Sequence, residues 1–184
     1  MPKVLAFSGS STRGGNIEKA LQAVLAATEA DTEFIRLAEL DMKQCLACVK
    51  CVPTNRCVHQ DDLNQILEKI IAADAFIIGA YPSFASVNAL TKTFMERNWP
   101  LRHNHRFTRG KVGAAVVGGA SRQATLADYF EMYFQDYLQT SYQGTLVIDG
   151  VVPCLVCGFG ETCDGSGLLR RYGPEAKITP DKFY

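Results

Sequence analysis

Four of the chain's seven cysteines, Cys45, Cys48, Cys51 and Cys57, fall within thirteen positions in the run QCLACVKCVPTNRC. Their spacing is Cys-x2-Cys-x2-Cys-x5-Cys. Thiolates are soft ligands that select zinc, copper(I) and iron–sulfur centres. Three cysteines at a repeat of three can wrap a short loop around one cubane, with the fourth arriving from slightly further on. Bacterial ferredoxins use C-x2-C-x2-C-x3-C-P, in which the fourth cysteine serves their other cluster. Here the last gap is five residues, and Val58 follows in place of proline. Zinc also accepts four thiolates, usually as two separated pairs. A disulfide or free thiols are the plainer alternative. A second group, Cys154-x2-Cys157-x5-Cys163, repeats the theme with three thiols. A second metal site and a redox disulfide are open to it, but reduced thiols in a glycine-rich tail are the expectation. His59, His103 and His105 are candidate partners by residue type alone.

A different chemistry is spelled at residues 8–16, Ser-Gly-Ser-Ser-Thr-Arg-Gly-Gly-Asn. Hydroxyls, glycines, one arginine and the start of a helix suit a phosphate, because backbone N–H groups and the helix dipole converge there. A nucleoside-triphosphate loop needs GxxxxGK followed by Ser or Thr. Gly9 and Gly14 have that spacing, but Gly15 and Asn16 replace the lysine and the hydroxyl. The dinucleotide fingerprint GxGxxG is absent from these residues. What remains is a loop for one phosphate, as in a mononucleotide such as FMN, or a turn of small residues with no ligand. Tyr81, Pro82, Ser83, Phe84, Ala85 and Ser86 offer an apolar and aromatic surface for a flat ring. Gly118 and Gly119, followed by Ala120 and Ser121, allow close approach. Singly, Tyr81 and Phe84 read as packing residues; the three segments together describe a flavin site. The locally basic run 102–109 suits NADPH phosphates, an acidic electron donor or plain solvation. There is no GxSxG, HExxH or EF-hand loop to support hydrolase, zinc-protease or calcium chemistry.

Alternating elements must position these groups. Apolar runs at 3–8, 33–37, 75–80, 112–119 and 145–149 read as strands. Between them, Ile17, Leu21, Val24 and Leu25 predict a helix over 16–29, and Leu63, Ile66, Leu67, Ile70 and Ile71 another behind Asp61 and Asp62. Leu90, Phe94 and Met95 mark a third, ending near Pro100, and the stripe from Leu126 to Leu138 a fourth. This alternation predicts an α/β, doubly wound, five-stranded parallel sheet of flavodoxin-like order 2-1-3-4-5, with the cysteine-rich loop after strand two. In such a sheet, ligands sit beyond the carboxyl ends of the strands. Residues 1–150 form the expected FMN-binding domain with a cluster loop at 43–60, and 151–184 an irregular Cys- and Gly-rich extension. The length suits a single core, and the formal net charge of zero disfavours nucleic acid and anionic membranes. No apolar run reaches membrane-spanning length or signal-peptide form, so the expected location is cytoplasmic. Thiols are kept reduced there, which favours metal binding or catalysis over staples.

The segments FSGSSTRGGN, AFIIGAYPSFASVNALTKTFMER and VVGGASRQAT, with the cysteine run between them, resemble the NADPH-dependent FMN reductases, and within them the iron–sulfur flavoproteins. The resemblance covers roughly residues 3–150. It implies a flavodoxin-like fold, FMN, a 4Fe–4S cluster on Cys45, Cys48, Cys51 and Cys57, and a homodimer or homotetramer. It further implies a phosphate held by Ser8, Ser10, Arg13, Gly15, Asn16 and Ile17, a ring flanked by residues 81–86, and Gly118 and Gly119 beside it. Two departures stand out. Ile17 occupies a position where the family usually has a hydroxyl, and the ring loop reads Ala-Tyr-Pro-Ser-Phe-Ala rather than Ser-Pro-Val-Tyr-Phe-Gly. The expected activity is electron transfer between a two-electron flavin and a one-electron cluster. The donor is a small redox protein such as ferredoxin, or NAD(P)H. A flavin-only reductase and a metal or redox sensor are the alternatives.

Overall fold

The computed structural model describes residues 1–179. Five strands, β1 (Lys3–Ser8), β2 (Asp31–Arg36), β3 (Ala75–Ala80), β4 (Val112–Gly119) and β5 (Ser141–Asp149), pair in parallel in the order 2-1-3-4-5. This is the predicted flavodoxin-like sheet. Successive residues of a strand point to opposite faces, so a strand covered on both sides must be apolar throughout. Leu5, Phe7, Phe76 and Ile78 enter one core with Phe94, Phe130 and Phe134. Val4, Ala6 and Ile77 enter the other, under Ile17 and Leu21 of α1 (Asn16–Ala26). The remaining main helices are α2 (Leu63–Ala72), α3 (Ala89–Arg97) and α4 (Gln123–Met132).

The differences from the expected boundaries have local causes. α1 stops at Ala26 rather than 29, where the Thr28 hydroxyl donates to the Leu25 carbonyl at 2.8 Å. The fourth helix does not run unbroken to Leu138. The Phe134 carbonyl accepts both the N–H and the hydroxyl of Thr140, at 2.9 and 3.0 Å. The last turn, Tyr133–Tyr137, therefore widens, and Leu138 N–H bonds five residues back to Tyr133. β5 begins four residues earlier than expected because the pairing register jumps between Gly113 and Ala115. Gly144, at φ 107°, supplies the left-handed residue that this bulge needs.

The described part of the extension contains two short helices, α5 (Cys154–Cys157) and α6 (Gly167–Tyr172), where the sequence predicts irregular chain. Val152, Leu155 and Leu168 form a small core of their own. The Ser166 hydroxyl caps α6 by accepting the Leu169 N–H at 3.1 Å. Arg171 donates to the Ala120 carbonyl at 2.9 Å, fastening this unit beside the end of β4. Among the described residues no helix is long and apolar enough to cross a membrane.

Gly9 joins β1 to the loop above it, donating its N–H to the Gly79 carbonyl at 2.8 Å while its own carbonyl accepts from Asn88 Nδ2 at 2.8 Å. An added Cβ would lie 1.7 Å from Thr91 Oγ1 and 3.0 Å from the Gly79 oxygen. Gly9→Ala is expected to cost about 1–3 kcal/mol by overpacking, read as a lowered urea midpoint at unchanged m-value.

Candidate functional site

The loop after β1 is shaped by its own hydroxyls. Ser8 Oγ accepts the Ser10 N–H at 3.4 Å, and Ser10 Oγ accepts the Thr12 N–H at 3.2 Å. Gly15 then precedes α1 with no side chain capping the helix, which leaves the positive end of an eleven-residue helix facing the loop. Glu18 braces this turn from below. It accepts the Gly14 N–H at 3.1 Å and both Nε and Nη2 of Arg36. The Arg36 hydrogen bonds, outweighing burial, hold the Glu18 carboxyl below its usual range. Arg13 lies exposed at the mouth and pairs with Glu39 at 2.7 Å.

Together with the ends of β3, β4 and β5, this loop bounds a cleft of about 700 Å³. Ser10, Arg13, Gly15, Asn16, Ile17, Tyr81, Pro82, Gly118 and Gly119 line it. Ser8 is buried beneath the loop. Residues 83–86 lie elsewhere. Pro82–Ser83 and Ser86–Val87 form a hairpin whose tip, Phe84 and Ala85, takes left-handed φ values of 47° and 62°. That turn throws the Phe84 ring fully into solvent, while Ala85 and Ser86 face a separate hollow beside Tyr129. Of the two aromatic residues in the ring loop, only Tyr81 borders the cleft. The sequence reading missed the fourth wall, made of Gly150, Val151, Val152, Pro153 and Val156. The signal in the sequence was Gly150, which directly follows the last strand at the same sheet edge; in the structure Asn16 Nδ2 reaches the neighbouring Asp149 carbonyl at 3.4 Å.

The four clustered cysteines line a second cavity of about 330 Å³ with Leu46, Val49, His59, Arg97, Trp99 and Pro100. The two cavities share no lining residue. Ala47, Val49 and Asn55 adopt left-handed φ of 50–54°, which curls the loop around the thiols. Burial pushes the Cys51 thiol pKa up, against a lowering backbone hydrogen bond and with the neighbouring Cys57, Cys48 and Cys45 adding to the rise. Among the described residues no three His, Cys, Asp or Glu side chains form a group suited to one metal ion. The four thiols instead line one chamber.

The chamber's neck and tip are tied separately. At the neck, Asp62 Oδ2 accepts the Asp41 N–H at 2.7 Å, and Asp61 Oδ2 accepts the Lys43 N–H at 3.1 Å. Arg97 grips Asp61 with two nitrogens, at 2.7 and 3.0 Å, and donates to the Lys43 carbonyl at 2.5 Å. At the tip, Asn55 Nδ2 donates to the carbonyls of Pro100 at 2.6 Å, His105 at 3.2 Å and His103. Sequence reasoning passed over Arg97. Its signal was a charge at position 97 in the apolar stripe 90, 94, 97, 101.

The other candidates are less assembled. Cys154 Sγ accepts the Gly167 N–H at 3.2 Å, and the N–H groups of Leu168 and Gly167 lower its pKa. Cys157 and Cys163 are exposed. In the basic segment, the Arg102 guanidinium stacks 4.9 Å from both the Trp99 and Tyr137 rings, and His103 packs on Trp99 at 4.2 Å. Both therefore serve packing, while Arg106 and Arg109 are exposed.

An uncapped helix start beneath small-residue loops, on the carboxyl edge of a 2-1-3-4-5 sheet, defines a flavodoxin-like protein with a cleft where that fold class places its ligands. Residues 2–147 match the family model for NADPH-dependent FMN reductases, and the chain belongs to that family. It is 40% identical over 124 residues to an iron–sulfur flavoprotein of Methanocaldococcus jannaschii, covering 65% of this chain and 63% of that one. An iron–sulfur flavoprotein of Methanosarcina thermophila is 36% identical over 125 residues, covering 65% and 64%. The match thus spans just under two thirds of these relatives' length. Among solved structures, the Trp repressor binding protein of Bacillus subtilis superposes with a TM-score of 0.59 at 18% identity, over 95% of this chain and 99% of that one.

Because the Glu18 carboxyl is depressed when folded, its contribution is complete above its unfolded value near 4.5 and is lost as pH falls through the lower folded value. Glu18→Gln is expected to lose about 1 kcal/mol at neutral pH, limited by solvent around the partly exposed Arg36. Its urea midpoint should also fall less steeply than that of the natural protein below pH 4.5.

Proposed function

We propose that this protein is an FMN- and 4Fe–4S-containing oxidoreductase that passes electrons between a flavin in the 700 Å³ cleft and a cluster in the thiol chamber. One observation carries the reading: four cysteines of one loop line a single chamber, in a chain whose family is named for FMN. The names of the relatives support the cluster assignment. When bound, FMN exchanges two electrons or one, and the cluster exchanges one.

The protein's part is placement. The positive end of α1 and the N–H groups of the loop hold the phosphate, with Glu18 bracing the turn. Tyr81 and Pro82 flank the ring, Gly118 and Gly119 let it approach the sheet edge, and Val151 to Pro153 close the far side against water. Cys45, Cys48, Cys51 and Cys57 hold the cluster. No side-chain acid or base is required, so no catalytic residue is assigned.

Anaerobic purification followed by flavin, iron and acid-labile sulfide analysis tests this. FMN with iron and sulfide in equal amounts is expected, and Cys48→Ser should lose most of the iron and sulfide while keeping the flavin. A yellow protein with FMN but no sulfide would indicate a flavin-only reductase and overturn the cluster assignment.

Exposed Leu46, Val49 and Trp99 around the chamber form an apolar rim. They support docking of a second copy, so that one copy's cluster meets the next copy's flavin. NAD(P)H or a small redox protein such as ferredoxin supplies the electrons. Sedimentation equilibrium is expected to give a dimer or tetramer; a monomer at micromolar concentration removes this assembly.

A further inference from the structure

The charge balance of the thiol chamber rests on one side chain. Arg97 is 1% exposed and belongs to the chamber lining, whereas Asp61 does not. Arg97 thus borders both the sulfurs' chamber and the neck, where Asp61 and the Lys43 carbonyl hold its Nη atoms. Both side chains are out of water, at 1% and 0% exposure, so the field between them is screened far less than at a surface. The guanidinium is also not fully used. Its Nη atoms serve Asp61 and Lys43, but its Nε is buried with no hydrogen-bond partner. A buried orphan donor is costly, and one on the lining of a chamber is free to serve a group bound there. The other ionisable groups on the lining are weaker influences: Glu96 is half exposed and paired with Lys92 at 3.4 Å, and His59 is engaged with the Gln44 carbonyl at 3.1 Å.

We infer that Arg97 is a tuning residue for an anionic iron–sulfur cluster in this chamber, giving it a buried positive charge and the free Nε–H, with Asp61 as the counter-ion that fixes the guanidinium in place. The inference rests on the reading that the chamber holds such a cluster. Four thiolates around iron make a net anion, and one-electron reduction adds a further negative charge. A cation facing that charge favours the reduced form over the oxidised one and so raises the reduction potential. Hydrogen bonds and net charge near the sulfurs are established controls on cluster potentials.

The test is a one-electron redox titration of the cluster in the anaerobically purified holoprotein, followed by electron paramagnetic resonance, with iron and sulfide measured on every sample. Arg97→Gln is expected to disfavour reduction about tenfold, a potential lower by about 59 mV. Asp61→Asn, which frees the guanidinium from its counter-ion, is expected to shift the potential the opposite way. A purely structural role does not produce shifts of opposite sign. Either single variant leaves a buried charge unpaired and is a folding risk. The double variant Arg97→Gln/Asp61→Asn keeps neutral hydrogen-bonding groups at the neck and removes both charges. It is expected to titrate below the natural protein. Natural-protein samples holding iron and sulfide, with Arg97→Gln or the double variant at an unchanged potential, overturn the inference alone. Natural protein without iron and sulfide overturns the cluster reading beneath it.

Discussion

The central strands of this sheet are covered on both faces, and that constraint organises everything else. With Phe7, Phe76 and Ile78 committed to one core and Val4, Ala6 and Ile77 to the other, β1 and β3 have no face left for polar chemistry. Parallel connection then brings the chain out at the same edge after every strand. Backbone groups leave their ladders there, and α1 starts there with its dipole pointing outward. A cleft at this edge is a consequence of the architecture. Its specificity comes from residues too small to block it, such as Gly118 and Gly119, and from the hydroxyl-shaped turn above Ser8.

The cysteine loop answers a different problem. From Leu40 to Asp62 the chain has no regular element, and a stretch of that length carries a large ordering cost. It is held at three heights by contacts that use no sulfur. Asp41 and Asp62 clasp each other at the base, Arg97 joins Lys43 to Asp61 above them, and Asn55 fastens the tip to the turn after α3. The upper two depend on α3 and the Trp99–Arg102 turn lying against the loop, which is why a helix remote in sequence from the cysteines matters to them.

The sheet was legible because it is written in apolar runs. Strands one, three and four matched to the residue, since glycine, proline or polar clusters stop them on both sides. The loop at 8–16 and the glycines at 118–119 could be placed because the strand ends fix them. Errors fell where backbone geometry outweighs residue type. Nothing in Ser-Phe-Ala-Ser announces two successive left-handed residues, which turn Phe84 into solvent instead of along the cleft. Thr140 broke a convincing helical stripe by capturing one carbonyl. The fourth wall of the cleft was missed because the tail was read by its glycines and prolines, while Val152, Leu155 and Leu168 fold it into a unit of its own. Arg97 was hidden by being the exception in an apolar stripe, although a buried arginine demands partners and so points to them.

The two sites differ in how much is prepared before a ligand arrives. Structural zinc modules commonly fold only with their metal, because the ligands themselves order the chain. Here the neck and tip contacts order the loop through carboxylates, amides and one guanidinium, so the thiols are gathered at the expense of folding rather than of metal binding. These ties run through no sulfur, so the chamber's shape rests on the polypeptide alone. The cleft is built differently: α1 faces it uncapped, and the wall from Gly150 to Pro153 is tied to β4 both by the Gly150 N–H, which bonds the Gly119 carbonyl at 2.9 Å, and by Arg171 on the Ala120 carbonyl.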